Sequence, residues 1–300
     1  MKKNSEGILH ENITVAGNLL YPGYVIKGRK KSLMIDAGIN LFGPLYLKTL
    51  DRILGSYQNL DYLFVTHSHY DHLGSLPFLK DKINNLKAGG FSSINTLLKK
   101  DSVLEWMNNL SDIQRESFKD IVGKEDVKIK PVNLDLNLKE GDLIDLGDLT
   151  CKIYETPGHT KDGLSYFIPE IKALFPGEVI GVPDWQTGEQ VEVEFLSSFQ
   201  DYLNSIKKLI KLKPKYIGMG HKWFFSDEDS SLYLEKSYQA TLEYKKYLEK
   251  HLEKVNGDID QAKNIIAKEE YDLPQTRFQE RNAYLANLTA QLKHILSLKN

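Results

Sequence analysis

Four side chains able to bind a metal fall within six residues of this chain: His67, His69, Asp71 and His72, in Thr66-His67-Ser68-His69-Tyr70-Asp71-His72. The apolar run Tyr62-Leu63-Phe64-Val65 directly precedes them and reads as a buried strand, so the ligands sit at a strand exit. In an extended segment, side chains at i, i+2 and i+4 point the same way. His67, His69 and Asp71 can then converge on one side while His72 turns toward a neighbouring position. One short loop can thus feed two divalent ions. Imidazoles with one carboxylate suit Zn²⁺ first and Fe or Mn²⁺ next, whereas Ca²⁺ and Mg²⁺ want all-oxygen shells.

The rest of the composition narrows the partners. The 39 Lys and Arg nearly balance the 41 Asp and Glu, which gives no global case for a nucleic-acid binder. Cys151 is the only cysteine, so an intramolecular disulfide is excluded and a thiolate zinc site is disfavoured. Residues 1–7 hold two lysines but no apolar signal-peptide core, and no stretch approaches the roughly 20 apolar residues of a membrane span. The expected setting is the cytoplasm, without a membrane partner.

Along the chain, short β-type runs come first: Ile13–Ala16, Tyr24–Lys27 and Ser32–Asp36. Helical periodicity follows from Pro44 to about Tyr57, then the strand Asp61–Val65 and the ligand loop, within which a helix starts. Residues 93–124 look helical with a break around Asn108–Asp112, and Trp106, Met107 and Phe118 are expected in the core. Strands return over Leu138–Glu155, Leu164–Ile168, Lys172–Phe175 and Lys215–Met219, with a helix at Leu196–Leu212. From about Asp227 the pattern changes to amphipathic helices at Ser230–Val255, Asp258–Glu270 and Thr276–Leu298, with Asp258 and Thr276 as N-caps. We therefore expect a metallohydrolase domain over 1–226 and a C-terminal helical extension over 227–300, which could cap the active site, pair two copies into a homodimer or complete the core.

Three further strand exits carry ligand-type residues. His159 lies on the Pro-Gly turn of Thr156-Pro157-Gly158-His159, Glu178 follows Phe175-Pro176-Gly177, and His221 ends Ile217-Gly218-Met219-Gly220-His221. Asp36 closes another strand, where it can either hold a ligand loop by hydrogen bonds or simply make a turn.

In this order the motifs resemble those of the metallo-β-lactamase fold hydrolase family, from about Ile13 to His221. The resemblance implies a four-layer αβ/βα sandwich, an α/β fold with the metal site at one edge. It implies His67, His69 and His159 as ligands of a first metal ion, and Asp71, His72 and His221 as ligands of a second. The family's bridging aspartate corresponds to Glu178, whose extra methylene leaves three arrangements open: bridging, ligation of the second ion alone, or a partly occupied second site. Length, the strand after His159 and the C-terminal helices are similar in layout to 2-aminobenzoylacetyl-CoA thioesterases of quinolone-signal biosynthesis.

The chemistry that follows is hydrolysis. Binding to such a metal pair lowers the pKa of water from about 15.7 to roughly 7, so neither serine nor cysteine is needed as nucleophile. Asp71 is placed to orient that water and carry its proton. A small ester-like substrate, a thioester or lactone, is the leading expectation. Trp185, Trp223, Phe224 and Tyr284 could wall its pocket, though each fits a core role better. The alternatives are a phosphodiesterase or nuclease of the same fold and a regulatory binding protein with weak catalysis. Near-neutral charge counts against long nucleic acids. Arg277 and Arg281, four apart on the last helix, could grip an anionic group, but a solvated helix face is the simpler reading.

Overall fold

The computed structural model describes residues 1–274, 277 and 279–298. The chain forms two compact units. The first comprises Met1–Glu155, Asp162–Gly177 and Lys215–Ser226, and the second Thr156–Lys161, Glu178–Pro214 and the chain from Asp227 onward.

Two seven-stranded sheets make the first unit. One runs Ile8–His10, Ile13–Gly17, Pro22–Lys27, Ser32–Ile35, Tyr62–Phe64, Lys87–Gly90, Leu136–Asn137. Its early strands are antiparallel, and pairing becomes parallel from Ser32–Ile35 onward. The other runs Lys3–Asn4, Trp223–Ser226, Tyr216–Gly218, Ala173–Phe175, Leu164–Ile168, Thr150–Glu155, Leu143–Asp145. Strand alternation explains how the first sheet buries both faces. Tyr24, Ile26, Leu33, Ile35 and Phe64 pack with Cys151, Ile153, Tyr166, Phe175 and Phe224 in one core. Their neighbours Val25, Met34, Leu63 and Val65 turn the other way into a second core. That second core is closed by residues of the helices Gly43–Leu54, Leu76–Lys82 and Asp101–Asp112, among them Tyr46, Leu50, Leu79, Leu104 and Met107.

Cys151 is fully buried, and burial raises its thiol pKa far above the ordinary range. Trp223 and Phe224 belong to a strand, with Phe224 wholly inside the core.

Several boundaries differ from the sequence reading for identifiable reasons. The first long helix stops at Leu54 because Gly55 takes the left-handed conformation at φ 77°, and Tyr57 opens a separate 3₁₀ turn. The break expected around Asn108–Asp112 falls at the far edge of that span: the helix Asp101–Asp112 ends there and a turn over residues 113–115 follows. Asn108 does not disturb its own helix, because its amide group donates to Ile129 O at 3.0 Å and accepts from Ile129 N at 2.9 Å. Met107 is core as expected, whereas Trp106 is exposed. The strand Lys87–Gly90, with two glycines and one apolar residue, carries no alternation to read.

The second unit holds the helices Phe199–Ile210, Glu228–Lys254, Ile259–Ala267 and Arg281–Ser297 and the two-stranded pair Val182–Pro183 with Val191–Glu192. Asp258 caps its helix by accepting from Gln261 N at 2.9 Å. The last helix begins at Arg281 with Glu280 as its cap; Thr276 lies outside the described residues. Arg277 therefore does not share that helix with Arg281, nor is it a solvated side chain. Its guanidinium is buried between Glu192 and Glu270, at 3.0 and 3.1 Å, and lies over the Tyr284 ring. Arg281 pairs with Asp272 at the surface. Tyr284 is buried, and Trp185 is half-buried in the turn after Val182–Pro183. No described helix is long and apolar enough to cross a membrane.

Phe224→Ala would open a cavity between the sheets. We expect unfolding free energy to fall by about 3–5 kcal/mol, read from the urea midpoint at constant slope.

Candidate metal centre

The strand Tyr62–Phe64 sits inside the first sheet, paired in parallel with a neighbour on each side, so its exit is rigid. Beyond it the chain bends at residues 66–68 and enters the short helix Tyr70–Leu73. The simple i, i+2, i+4 alternation therefore does not extend to Asp71, which is already helical. The bend has a cause: the Asp36 carboxylate accepts from Thr66 N at 2.8 Å and from the Thr66 hydroxyl at 2.9 and 3.0 Å.

Within the first unit the ligand-type side chains form one group. Ring centroids of His67 lie 4.5 Å from His69 and 4.2 Å from His72, and His72 lies 5.3 Å from His221. Asp71 Oδ2 is 3.4 Å from His221 Nε2. Asp71, His72 and His221 each offer a ligand atom, and these lie within 4.8 Å of one another.

Hydrogen bonds also settle which ring nitrogen is available for coordination. Asp36 can only accept, so His72 Nδ1, at 2.9 Å from Asp36 Oδ2, is the protonated nitrogen. The single Thr66 hydroxyl proton goes to Asp36, so that oxygen accepts from His67 Nδ1 at 3.0 Å. His221 Nδ1 donates to the Leu20 carbonyl at 2.7 Å. Each of these imidazoles therefore carries its lone pair on Nε2, and an Nδ1–H anchored to a carboxylate, hydroxyl or carbonyl is the usual support of a metal-binding histidine. Asp36 is thus more than a turn residue: it orients His72 directly and His67 through Thr66.

In the second unit, His159 has its Nδ1 anchored in the same way, but its Nε2 faces a carboxylate that can only accept, so Nε2 donates to it and that proton must leave before the nitrogen can coordinate an ion. Its Nδ1 donates to the Glu194 carbonyl at 2.8 Å, and its Nε2 lies 2.9 Å from Glu178 Oε2. The turn before it needs glycine: Gly158 has φ 135°, and a Cβ there would come within 2.3 Å of Tyr202 Cα. Gly158 O accepts from Ser197 N and Ser198 N, which ties the turn to the start of the helix Phe199–Ile210. Burial opposes charge on His159, but the Glu178 carboxylate beside it outweighs this and raises the imidazole pKa. Burial, reinforced by the nearby charge of Glu178, pushes the Glu194 carboxyl up to about 7. Tyr202 donates to the Glu178 carbonyl at 3.2 Å.

Just before Glu178, in the first unit, Gly177 has φ 60°. A Cβ there would stand 2.9 Å from the Thr66 side chain, so the turn packs directly on the residue that orients His67.

All seven expected ligands are thereby located: His67, His69, Asp71, His72 and His221 in the first unit, His159 and Glu178 in the second. Their chemistry fits a divalent ion, since imidazole nitrogens and carboxylate oxygens form a mixed N/O donor set. The sequence reading missed three supporting groups: Thr66 and the carbonyls of Leu20 and Glu194. Thr66 was legible in principle, as a hydroxyl flanking the first histidine; the two carbonyls carry no sequence signal.

The profile of the metallo-β-lactamase superfamily matches residues 22–221. A metallo-β-lactamase fold-containing protein of Sulfurisphaera tokodaii is 27% identical over 201 residues, covering 66% of this chain and 71% of that protein. Hydroxyacylglutathione hydrolase of Brucella ovis is 30% identical over 121 residues, 40% of this chain, and the match spans only 34% of that hydrolase. A metallo-β-lactamase family protein of Thermus thermophilus superposes with TM-score 0.65 at 16% identity, covering 99% of this chain and 94% of its own. The chain belongs to the metallo-β-lactamase superfamily and has its fold, with a C-terminal helical region.

Asp36→Asn tests the orienting role. Asparagine tolerates the left-handed backbone at φ 61° but cannot accept from His72 Nδ1 through its amide nitrogen. We expect divalent-metal affinity to fall about 10–100-fold in chelator competition, with the fold retained by circular dichroism.

Proposed function

We propose that the protein is a metal-dependent hydrolase of a small ester-like substrate, a thioester or lactone, with two divalent ions as its cofactors. Among the divalent metals, Zn²⁺ suits the donor set best. His67, His69, His159 and Glu178 have the composition of one ligand set, and Asp71, His72 and His221 that of the other. The observation that carries this reading is the set of anchored imidazoles: His67, His72, His159 and His221 all have Nδ1 engaged, which leaves Nε2 as the coordinating nitrogen. Glu178 is assigned to the first set, because its carboxylate meets His159 Nε2.

Such ions would supply a water activated near neutral pH and polarise the scissile carbonyl. Asp71 Oδ2 is the group that takes the proton from the attacking water, held beside His221 Nε2. The ester-like substrate class draws support from the similarity to a hydroxyacylglutathione hydrolase over 121 residues; a resemblance of the sequence motifs to 2-aminobenzoylacetyl-CoA thioesterases points the same way.

Purified protein should contain about two equivalents of divalent metal, and chelation should abolish turnover of acyl thioesters or lactones, with recovery on adding Zn²⁺. Turnover of phosphodiesters alone would overturn the substrate class. Asp71→Ala should reduce kcat by about 10²–10⁴-fold in the same assay. Glu178→Asp withdraws the carboxylate by one methylene and should weaken binding of one equivalent by about tenfold; unchanged metal content and rate would remove Glu178 from the ligand set.

A further inference from the structure

Three consecutive residues of the second unit, Glu192, Val193 and Glu194, are gripped from the C-terminal part of the chain. Arg277 Nη1 donates to Glu192 Oε2 at 3.0 Å, Gln291 Nε2 to the Val193 carbonyl at 2.8 Å and Asn287 Nδ2 to Glu194 Oε2 at 3.1 Å. Asn287 and Gln291 stand four apart, on one face of the helix Arg281–Ser297. The same side of the helix buries Tyr284, Leu288, Leu292 and Ile295 and carries His294, which accepts from Phe199 N at 2.9 Å. Gln291 is itself only 2% exposed, and burying an amide costs free energy unless its hydrogen bonds are made. Here those bonds go to one short strap. Next along the chain, Phe195 is fully buried with its ring against those of Phe199, Tyr202 and Tyr244.

The strap makes a further contact through the Glu194 carbonyl, which accepts from His159 Nδ1. The position of that acceptor sets both the rotation of the imidazole and the nitrogen that keeps its proton. Backbone pairing pins the segment at Val191–Glu192 and again at Ser197 and Ser198 on Gly158 O, and between these points Asn287 and Gln291 grip Val193 and Glu194.

We propose that the helix Arg281–Ser297 is a positioning element for His159: Asn287 and Gln291 fix the strap, and the strap fixes the ring. The proposal rests on the reading of His159 as a metal ligand, and it makes the C-terminal region part of the metal centre's support. Asn287 and Gln291 act only through Glu194 and touch no reacting atom.

The test uses the full chain carrying Asn287→Ala or Gln291→Met, with Lys293→Ala on the exposed face of the same helix as control. Zn²⁺ affinity is measured by competition with a chelating dye. The His159 Nδ1–H is followed in long-range ¹H–¹⁵N spectra of metal-free protein, with His72 as internal reference. Each variant is expected to bind Zn²⁺ about tenfold more weakly and to lose the His159 Nδ1–H signal, while His72 and the control stay as in the parent protein. Parent-like affinity and an unchanged His159 signal in both variants would overturn the proposal. Were the parent protein to bind no Zn²⁺, the ligand reading would fall, and the Nδ1–H signal would still decide whether the helix positions His159.

Discussion

The candidate ligand cluster of the first unit depends on one buried carboxylate. Asp36 accepts from the backbone and hydroxyl of Thr66 and from His72 Nδ1, while its own N–H donates to Phe64 O and the next N–H, of Ala37, to His72 O. Two parallel strands and the start of the ligand helix are thus tied at a single residue. Its left-handed backbone costs roughly 1–2 kcal/mol, which charge-assisted hydrogen bonds of about 1.5–3 kcal/mol each more than offset. The ligand geometry inherits the rigidity of the sheet interior, and the loop itself needs little intrinsic order.

The second unit solves a similar problem with different means. Its acids Glu194, buried, and Glu192 and Glu270, largely covered, all have pKa values raised by desolvation, with Arg277 opposing the rise in each case. A network of this kind contributes little net stability against an apolar replacement, while loss of one member leaves the others buried without compensation. What the network provides is fixed geometry around the strap that holds His159.

The strand-exit ligands were legible in the sequence because strong metal chemistry compresses them into short motifs beside apolar runs. Asp36 was half-legible: its place at a strand end could be seen, but its three donors belong to residues thirty or more positions away. Local pattern misled where a tertiary partner decided the outcome. Arg277 reads as a helical surface charge until Glu192 and Glu270 close around it. The strap from Glu192 to Glu194 shows only as an acidic, apolar alternation, and nothing in that pattern points to a histidine more than thirty residues earlier.

The lone cysteine acquires significance from its position. Cys151 sits in the core between the sheets, inaccessible and held in the thiol form by burial, so it is neither a nucleophile nor a partner for disulfide exchange. On the thioester reading proposed above, each turnover would liberate a free thiol, and an exposed cysteine near the site would accumulate mixed disulfides with that product whenever conditions turned oxidising. The one cysteine of the sequence, buried between the sheets, would be out of reach of such a product.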